Sequence, residues 1–515
     1  MMSLNTSTLT GNLNTYLGQK GGYLGQKGYT LLKKELSSQQ EHFIKKELMI
    51  KPYTAGAPSG GGDQVVFPVY RESASKIYVP RYFGEKHFGA PSEVKISEGT
   101  DINIEFAGEL RPLQKIVVKT YIDKVTNISN KCGGGLLEIP CGGGKTLMAL
   151  YICAALRVKT LVIVHKEFLM NQWIERIEQF LPSARIGKIQ GPTIDIEGKD
   201  IVIGMLQSLS MKEYPSTTFD SFGLTIIDEV HHISSEVFSG ALFKIVTKYM
   251  LGLSATMNRK DGTTDVFKMF LGEVIYKGER EDKHDVIVRG ITYEVDDPEF
   301  NTVVTDYKGN VQYSSMISKL CAYNRRSEFI LNVVADMVKE NPDQQIMIIA
   351  HNRCILTYFY DAIIHRNIAT VGYYVGGMKE AALKDSESKK IILATYSMAA
   401  EALDIKTLTT LVMATPKTDI EQAVGRILRE KHSQPIVVDI IDSHQPFQNQ
   451  WTKRKVFYKK QNYKIIQMDS KNYDPDTSKW SVSTKMKKCA GGSAGTSKDK
   501  DIELPGTCLL LQKKK

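Results

Sequence analysis

Long apolar runs are absent from this chain. No stretch approaches the about 18–20 consecutive apolar residues that a membrane-spanning helix needs, so no association with a membrane is expected. Cysteine is sparse. The seven residues stand at 132, 141, 153, 321, 354, 489 and 508, and no two form a C-x-x-C. That argues against a disulfide framework or a zinc cluster and for a reducing compartment. Cys141 lacks the His/Asn signature of a thiol nucleophile and reads as a small space-filler. The opening Met-Met-Ser-Leu-Asn-Thr-Ser has no basic stretch followed by an apolar one, so a signal peptide is not expected. These absences predict a soluble, intracellular protein.

What is present is ordinary for a globular chain. With 515 residues, 42% hydrophobic and 24% charged, about three domains are expected. The net charge of +10 is uneven. Residues 451–515 hold 16 Lys+Arg against 6 Asp+Glu, which leaves residues 1–450 close to neutral. A basic terminal segment fits a polyanionic partner, usually nucleic acid; the plainer reading is a solvated tail.

Along the chain, residues 1–30 carry YLGQKG twice, at 16–21 and 23–28. Two copies are too few for a solenoid and suggest a flexible, Gly-rich arm. Residues 31–51 have the mixed Leu/Lys/Glu pattern of one or two amphipathic helices, and 52–63 is a loop by composition. Short strands are expected at 65–70 and 76–80, with Pro68 and Pro80 favouring edges. Residues 1–100 are thus expected to form a small α+β accessory domain. Its Arg71, Lys76, Tyr78, Arg81, Tyr82 and Phe83 are either nucleic-acid contacts or core aromatics with a charged rim. Over residues 101–285, apolar strands at 161–165, 201–204, 224–228 and 250–254 alternate with helices such as 167–181, the pattern of a buried parallel sheet. The alternation returns over residues 286–465, with strands at 346–350, 370–375, 391–395, 410–414 and 436–440. Residues 466–515 are expected to be a basic tail, partly disordered where Gly, Ser and Lys dominate. The fold class is α/β, with two tandem parallel-sheet domains.

Four motifs carry chemistry. Glu138-Ile-Pro140-Cys141-Gly142-Gly143-Gly144-Lys145-Thr146 has the form of a phosphate-binding loop. Its glycines let backbone N–H groups turn toward an anion, Lys145 supplies a mobile positive charge, and the Thr146 hydroxyl suits Mg²⁺. In Thr225-Ile-Ile-Asp228-Glu229-Val-His231, two carboxylates end an apolar strand. Asp228 is suited to hold Mg²⁺ through a water, and Glu229 to orient and deprotonate an attacking water. Gly252-Leu-Ser254-Ala-Thr256 places hydroxyls where they can meet the acidic pair or His231. Gln422-Ala-Val-Gly425-Arg426-Ile-Leu-Arg429 places two arginines three apart, on one face of a helix, as candidate fingers into a phosphate site.

The ordered set RPLQ, PCGGGKT, DEVH, SAT and QAVGRILR resembles a superfamily 2 DExH-type helicase with two RecA-like domains. The wording is nearest the XPB/UvsW-like branch and the transcript-release helicases of large cytoplasmic DNA viruses. The resemblance covers residues 109–440. It implies that Gln114 reads adenine, that Pro140 to Thr146 bind ATP, and that Gln422, Arg426 and Arg429 serve the phosphates. It also implies that His165, Lys166, Gln207, Ser208, His351 and Thr395 touch nucleic acid or couple it to the nucleotide, and that Asp404 lies near the nucleotide. Lys260 stands where XPB-like proteins carry Glu, and Ala402 replaces a Gly. The expected function is ATP- and Mg²⁺-dependent movement along nucleic acid by a monomer. The substrate is expected to be a DNA duplex or DNA–RNA hybrid, in a viral setting (host cytoplasm or virion) and in possible company with transcription machinery. The rivals are an RNA helicase and an ATPase switch within a transcription complex that does not unwind.

Overall fold

The Val/Ile/Leu runs pair into two eight-stranded sheets in the computed structural model of the protein. It describes residues 22–52, 66–127, 132–140, 142–232, 235–257, 261–278, 285–401, 405–428, 432 and 434–484. Cys141, Lys260, Ala402, Asp404, Arg429, the first YLGQKG copy and residues 485–515, and the expectations attached to them, lie outside the described residues.

The first large sheet runs, edge to edge, Thr193–Asp195, Ile186–Gln190, Ile201–Met205, Thr160–Val164, Leu224–Ile227, Tyr249–Ser254, Gly133–Glu138 and Val274–Lys277. The second runs Val371–Tyr374, Ile391–Thr395, Gln345–Ala350, Leu408–Met413, Ile436–Asp442, Ile287–Tyr293, Lys464–Asp469 and Ser481–Thr484. Only one outermost strand in each is antiparallel. Ranked by chain position, the seven parallel strands of both sheets follow the same spatial order, 3-4-2-5-6-1-7. This is the tandem RecA-like architecture. Helices cover both faces, so strands such as Thr160–Val164 are buried throughout, which is why they carry apolar residues at every position.

Three expectations are corrected. Residues 23–32 are not a flexible arm: Tyr23–Gly25 and Gly28–Leu32 form a hairpin that continues through Lys76–Val79 to Arg71–Glu72. Leu24, Tyr29 and Leu31 are buried on one face of it, and that burial outweighs the glycines. The amphipathic helix is shorter than expected, Ser38–Glu47, because Ser37 and Gln40 form a capping box at its start. Lys76–Val79 is an interior strand, and Pro80 instead stands at the N-cap of helix Arg81–Phe88. Of the two readings of this segment's aromatics, Phe83 and Arg81 are core: Arg81 is buried and donates to Cys132 O at 2.8 Å.

Regular structure also does not fade at 465. Lys464–Asp469 pairs with Ile287–Tyr293, and Ser481–Thr484 follows at the edge. Part of the basic count that suggested a tail belongs to helix Gln445–Lys460, which buries Trp451, Arg454 and Tyr458. Among the described residues no helix is long and apolar enough to cross a membrane.

Strand Ile436–Asp442 anchors the second sheet's helices through two buried carboxylates. Asp442 receives Arg326 Nε at 2.5 Å and Nη2 at 2.8 Å, while Arg326 Nη1 donates to Ala414 O. Asp439 receives Arg454 Nε and Nη2, both at 2.8 Å, and the Tyr458 hydroxyl at 2.9 Å. Removing one partner strands a charge in low dielectric. Arg454→Ala is therefore expected to destabilise the protein by about 3–5 kcal/mol in denaturant unfolding. Arg454→Met with Asp439→Leu removes both charges and is expected to recover most of that loss; a loss as large as the single variant's would contradict the account.

Candidate nucleotide site and the cleft between the sheets

The phosphate loop joins the buried strand Gly133–Glu138 to helix Lys145–Leu156. Gly142 and Gly144 take φ of +82° and +83°, a region a side chain disfavours. A Cβ on Gly144 would also meet Gln114 Nε2 at 2.4 Å. The loop is closed by Gly143 N–H donating to Pro140 O at 3.0 Å. Gln114, buried, braces it: Nε2 donates to Gly143 O at 3.0 Å while Oε1 accepts from Arg111 N–H at 2.9 Å. Arg111 Nη2 adds a bond to Gly143 O at 3.1 Å. The carboxamide implied to read adenine thus lies against the loop itself. The half-buried Thr146 follows Lys145 in the first helical turn, where backbone N–H groups and the helix dipole favour an anion.

The acidic pair leaves strand Leu224–Ile227 directly beside this loop. Glu229 takes φ of +48°, rare for a residue with a Cβ and costing about 1–2 kcal/mol. In that conformation its carboxylate meets Lys145 Nζ at 2.7 Å. Asp228 is buried. Its Oδ2 accepts the Trp173 indole N–H at 2.9 Å, and its Oδ1 accepts Glu229 N–H at 3.0 Å. Burial first, and the Glu229 charge second, raise the Asp228 carboxyl above the usual carboxylate range, against the pull of Lys145.

His231 links the pair to the rest of the cleft. Ser254 Oγ donates to Thr256 O at 2.5 Å, so it accepts from His231 Nδ1, 2.5 Å away. Glu229 Oε2 is 3.4 Å from the same nitrogen. The network then assigns the neutral Nδ1–H tautomer, whose Nε2 accepts from Gln422 Nε2–H at 3.0 Å. Gln422 belongs to the second sheet's side, so this contact crosses the cleft. The same interface holds Lys384 to Glu175 and Asn171 to Glu380, both at 3.2 Å, and Phe168 packs on the second core.

Arg426 departs from expectation. Helix Glu421–Arg426 ends at this residue, with a C-cap at Ile427. Arg426 is buried, and its Nε donates to Ala399 O at 2.8 Å in its own half. The remaining positions sit at strand exits. Gln207 Nε2 donates to His165 O at 3.1 Å, Ser208 Oγ accepts from Gly191 N–H at 2.9 Å, and Lys166 lies 6.0 Å from the Phe168 ring centre. Thr395 Oγ1 is 3.3 Å from Ser397 Oγ at the end of Ile391–Thr395. His351 is bound at Nδ1 by Thr415 Oγ1 at 2.8 Å and packs on Tyr396; burial, aided by Lys417, pushes its pKa down to about 4, so the ring is neutral near pH 7.

Comparison with known proteins places this geometry. Residues 107–259 match the family described as Type III restriction enzyme, res subunit. A protein of Acanthamoeba polyphaga mimivirus, named as an ATP-dependent RNA helicase, is 34% identical over 85% of each chain. The chain belongs to the superfamily 2 helicases. A protein of African swine fever virus, also named as an ATP-dependent RNA helicase, is 29% identical over 69% of this chain and 75% of its own. A solved fragment of an HsdR subunit of a type I restriction enzyme from Vibrio vulnificus covers 71% of this chain and 70% of its own at a TM-score of 0.50 and 17% identity, a likeness of fold. The helicase is accordingly a nucleic-acid-dependent ATPase.

Trp173 was not singled out from sequence, although the signal existed. It is one of three tryptophans, and an indole buried on the inner side of a helix needs an acceptor. Trp173→Phe keeps an aromatic ring and deletes the donor to a charged group. It is expected to lower ATP turnover about tenfold or more, with the circular dichroism spectrum unchanged. Wild-type turnover in the variant would show that the bond does not orient Asp228.

Proposed function

We propose that this helicase couples ATP hydrolysis to stepwise movement along a nucleic-acid strand, separating a DNA duplex or a DNA–RNA hybrid. The observation that carries it is the continuous path Lys145–Glu229–His231–Gln422, which runs from the phosphate loop of the first sheet to the second. ATP phosphates sit at Gly142–Gly144 and the helix start, held by Lys145. Glu229 takes the proton of the attacking water once it leaves Lys145. Arg426, held through Nε on Ala399 O, approaches the phosphates with its terminal nitrogens as the cleft closes, while Gln422 couples the halves through His231. Gln114 turns from the loop to the base. The domains proposed are 1–100 accessory, 101–285 and 286–465 RecA-like, and 466–515 tail, with the second sheet carried on to 484.

The residues fit a magnesium ion. Such an ion would be bound mainly by phosphates and water. Asp228, buried beside Glu229 and with its carboxyl raised above the usual range by that burial, would hold it through water with the Thr146 hydroxyl. Such an ion neutralises charge that develops on the phosphates.

Contacts to the strand go mainly to phosphates, from His165, Lys166, Gln207, Ser208, His351 and Thr395, giving low sequence preference and strong salt dependence. The viral relatives named as RNA helicases favour a second reading, in which RNA is the substrate and no DNA strand is needed. ATPase stimulation compared across single-stranded DNA, duplex DNA, DNA–RNA hybrid and RNA separates the two. Lys145→Ala is expected to abolish stimulated hydrolysis with every substrate; undiminished turnover would sink the site assignment. Gln422→Ala is expected to keep hydrolysis in the absence of nucleic acid and to lose most of its stimulation. Full stimulation would mean the His231–Gln422 contact does not couple the halves.

A further inference from the structure

The four-stranded sheet near the N-terminus has two faces of opposite character. Leu24, Tyr29, Leu31, Ile77 and Val79 share one face and are buried. The other face carries a row set by strand register: Tyr23 opposite Thr30, Thr30 opposite Tyr78, and Tyr78 opposite Arg71. Residues 92–95 run beside the outer strand, with Leu24 N–H on Glu93 O and Lys95 N–H on Leu24 O, and bring Lys95 to the head of the row. Lys76 lies two residues before Tyr78 on the same strand, hence on the same face.

The charges and rings are already engaged with each other. The Tyr23 ring centre has Lys95 Nζ at 4.9 Å and Lys76 Nζ at 5.6 Å, and Lys76 also donates to the Tyr23 hydroxyl at 2.9 Å. Lys27 Nζ stands 5.4 Å from the Tyr78 ring centre. Lys27, Arg71 and Lys95 are exposed, and both tyrosines are partly exposed. Of the nearby carboxylates, Glu93 pairs with Lys95 at 2.9 Å, and Glu72, one register position over, is engaged by Lys33 and Lys45. Two strand spacings separate Tyr23 from Tyr78, about 10 Å, with only Thr30 between. The face is fixed to the first large sheet: Gln26 donates to Asp220 at 2.9 Å, and Arg71 stands 5.8 Å from the Phe243 ring centre.

We propose that this face is a second nucleic-acid platform, apart from the cleft, and that it takes a single strand. Partly exposed rings flanked by cations, standing over the buried Thr30, match stacked bases with phosphates alongside. A duplex would offer only phosphates, leaving the rings without a role, and an acidic peptide would do the same. Tyr23 and Tyr78 stack on bases; Lys27, Lys76, Lys95 and Arg71 hold the backbone. The platform keeps hold of one strand while the cleft cycles.

The test uses the full chain and fluorescence anisotropy with labelled oligothymidylate. Tyr23→Ala with Tyr78→Ala is expected to weaken single-strand binding about tenfold or more. Lys27→Glu with Lys95→Glu, at exposed positions, is expected to weaken it and to make its salt dependence shallower by about 1–2 in the log–log slope. ATP turnover without nucleic acid is expected to stay at the wild-type level in both, whereas Lys145→Ala is expected to lose turnover and keep the platform. Photocrosslinking of a thiouracil-containing oligonucleotide to the wild-type chain is expected to mark the peptides bearing Tyr23 or Tyr78. Wild-type affinity in both paired variants, a greater loss on duplex than on single strand, displacement of the oligonucleotide by polyglutamate at equal charge, or crosslinks confined to the two large sheets would each overturn the proposal.

Discussion

The cleft depends on one positive charge. Asp228 and Glu229 are neighbours at the end of a buried strand, and two carboxylates there repel each other and lose hydration. Lys145 is the cation that makes the arrangement affordable, at 2.7 Å from Glu229. Its position follows from the fold. Strands one and five of the first sheet end on the same side, so the loop after Gly133–Glu138 and the turn after Leu224–Ile227 converge. The left-handed backbone of Glu229 is the local cost of aiming the carboxylate at Lys145.

The same charge must serve two partners. In the proposed cycle a bound phosphate competes with Glu229 for Lys145, so nucleotide binding would free the carboxylate while neutralising the cation elsewhere. Released Glu229 still faces His231, which holds Ser254 on one nitrogen and Gln422 on the other. A change at the phosphates is thereby exchanged for a change at the interface between the sheets, through hydrogen bonds that have discrete alternatives rather than through gradual deformation.

Much of this was legible in the sequence where one residue type has one use. Unbroken Val/Ile runs announced buried parallel strands, and GGGKT with a later Asp-Glu announced a nucleotide site before any fold was known. What could not be read was where local chemistry yields to distant packing. Residues 23–32 look flexible because Gly25 and Gly28 are conspicuous, yet Tyr29 and Leu31 find a core supplied by Ile77, Val79 and Phe83. Arg454 counted as a tail charge until Asp439, on a strand fifteen residues earlier, came into view. Arg426 read as a finger aimed at phosphates, yet its Nε donates to Ala399 O, a carbonyl twenty-seven residues earlier that no local pattern announces. Periodicity reports which residues are buried only when the element itself supplies the reason; here the reason came from other segments.

The two large sheets repeat one topology, yet only the first has a phosphate loop. After the corresponding first strand of the second sheet, Ile287–Tyr293, the chain runs Glu294-Val-Asp296-Asp297-Pro298, and Asp297 caps a short helix through its own carboxylate. A carboxylate at that helix start repels phosphate where the first sheet attracts it. The duplication is therefore asymmetric in charge, and in the proposed cycle one half would bind the anion and the other sense it. Sensing requires contacts whose strength differs between the filled and empty site, and by linkage anything that pulls the second half toward closure raises nucleotide affinity by the factor by which nucleotide favours closure. Phe168 and the Lys384–Glu175, Asn171–Glu380 and Gln422–His231 contacts are among the groups that can carry that exchange, because the described halves meet there.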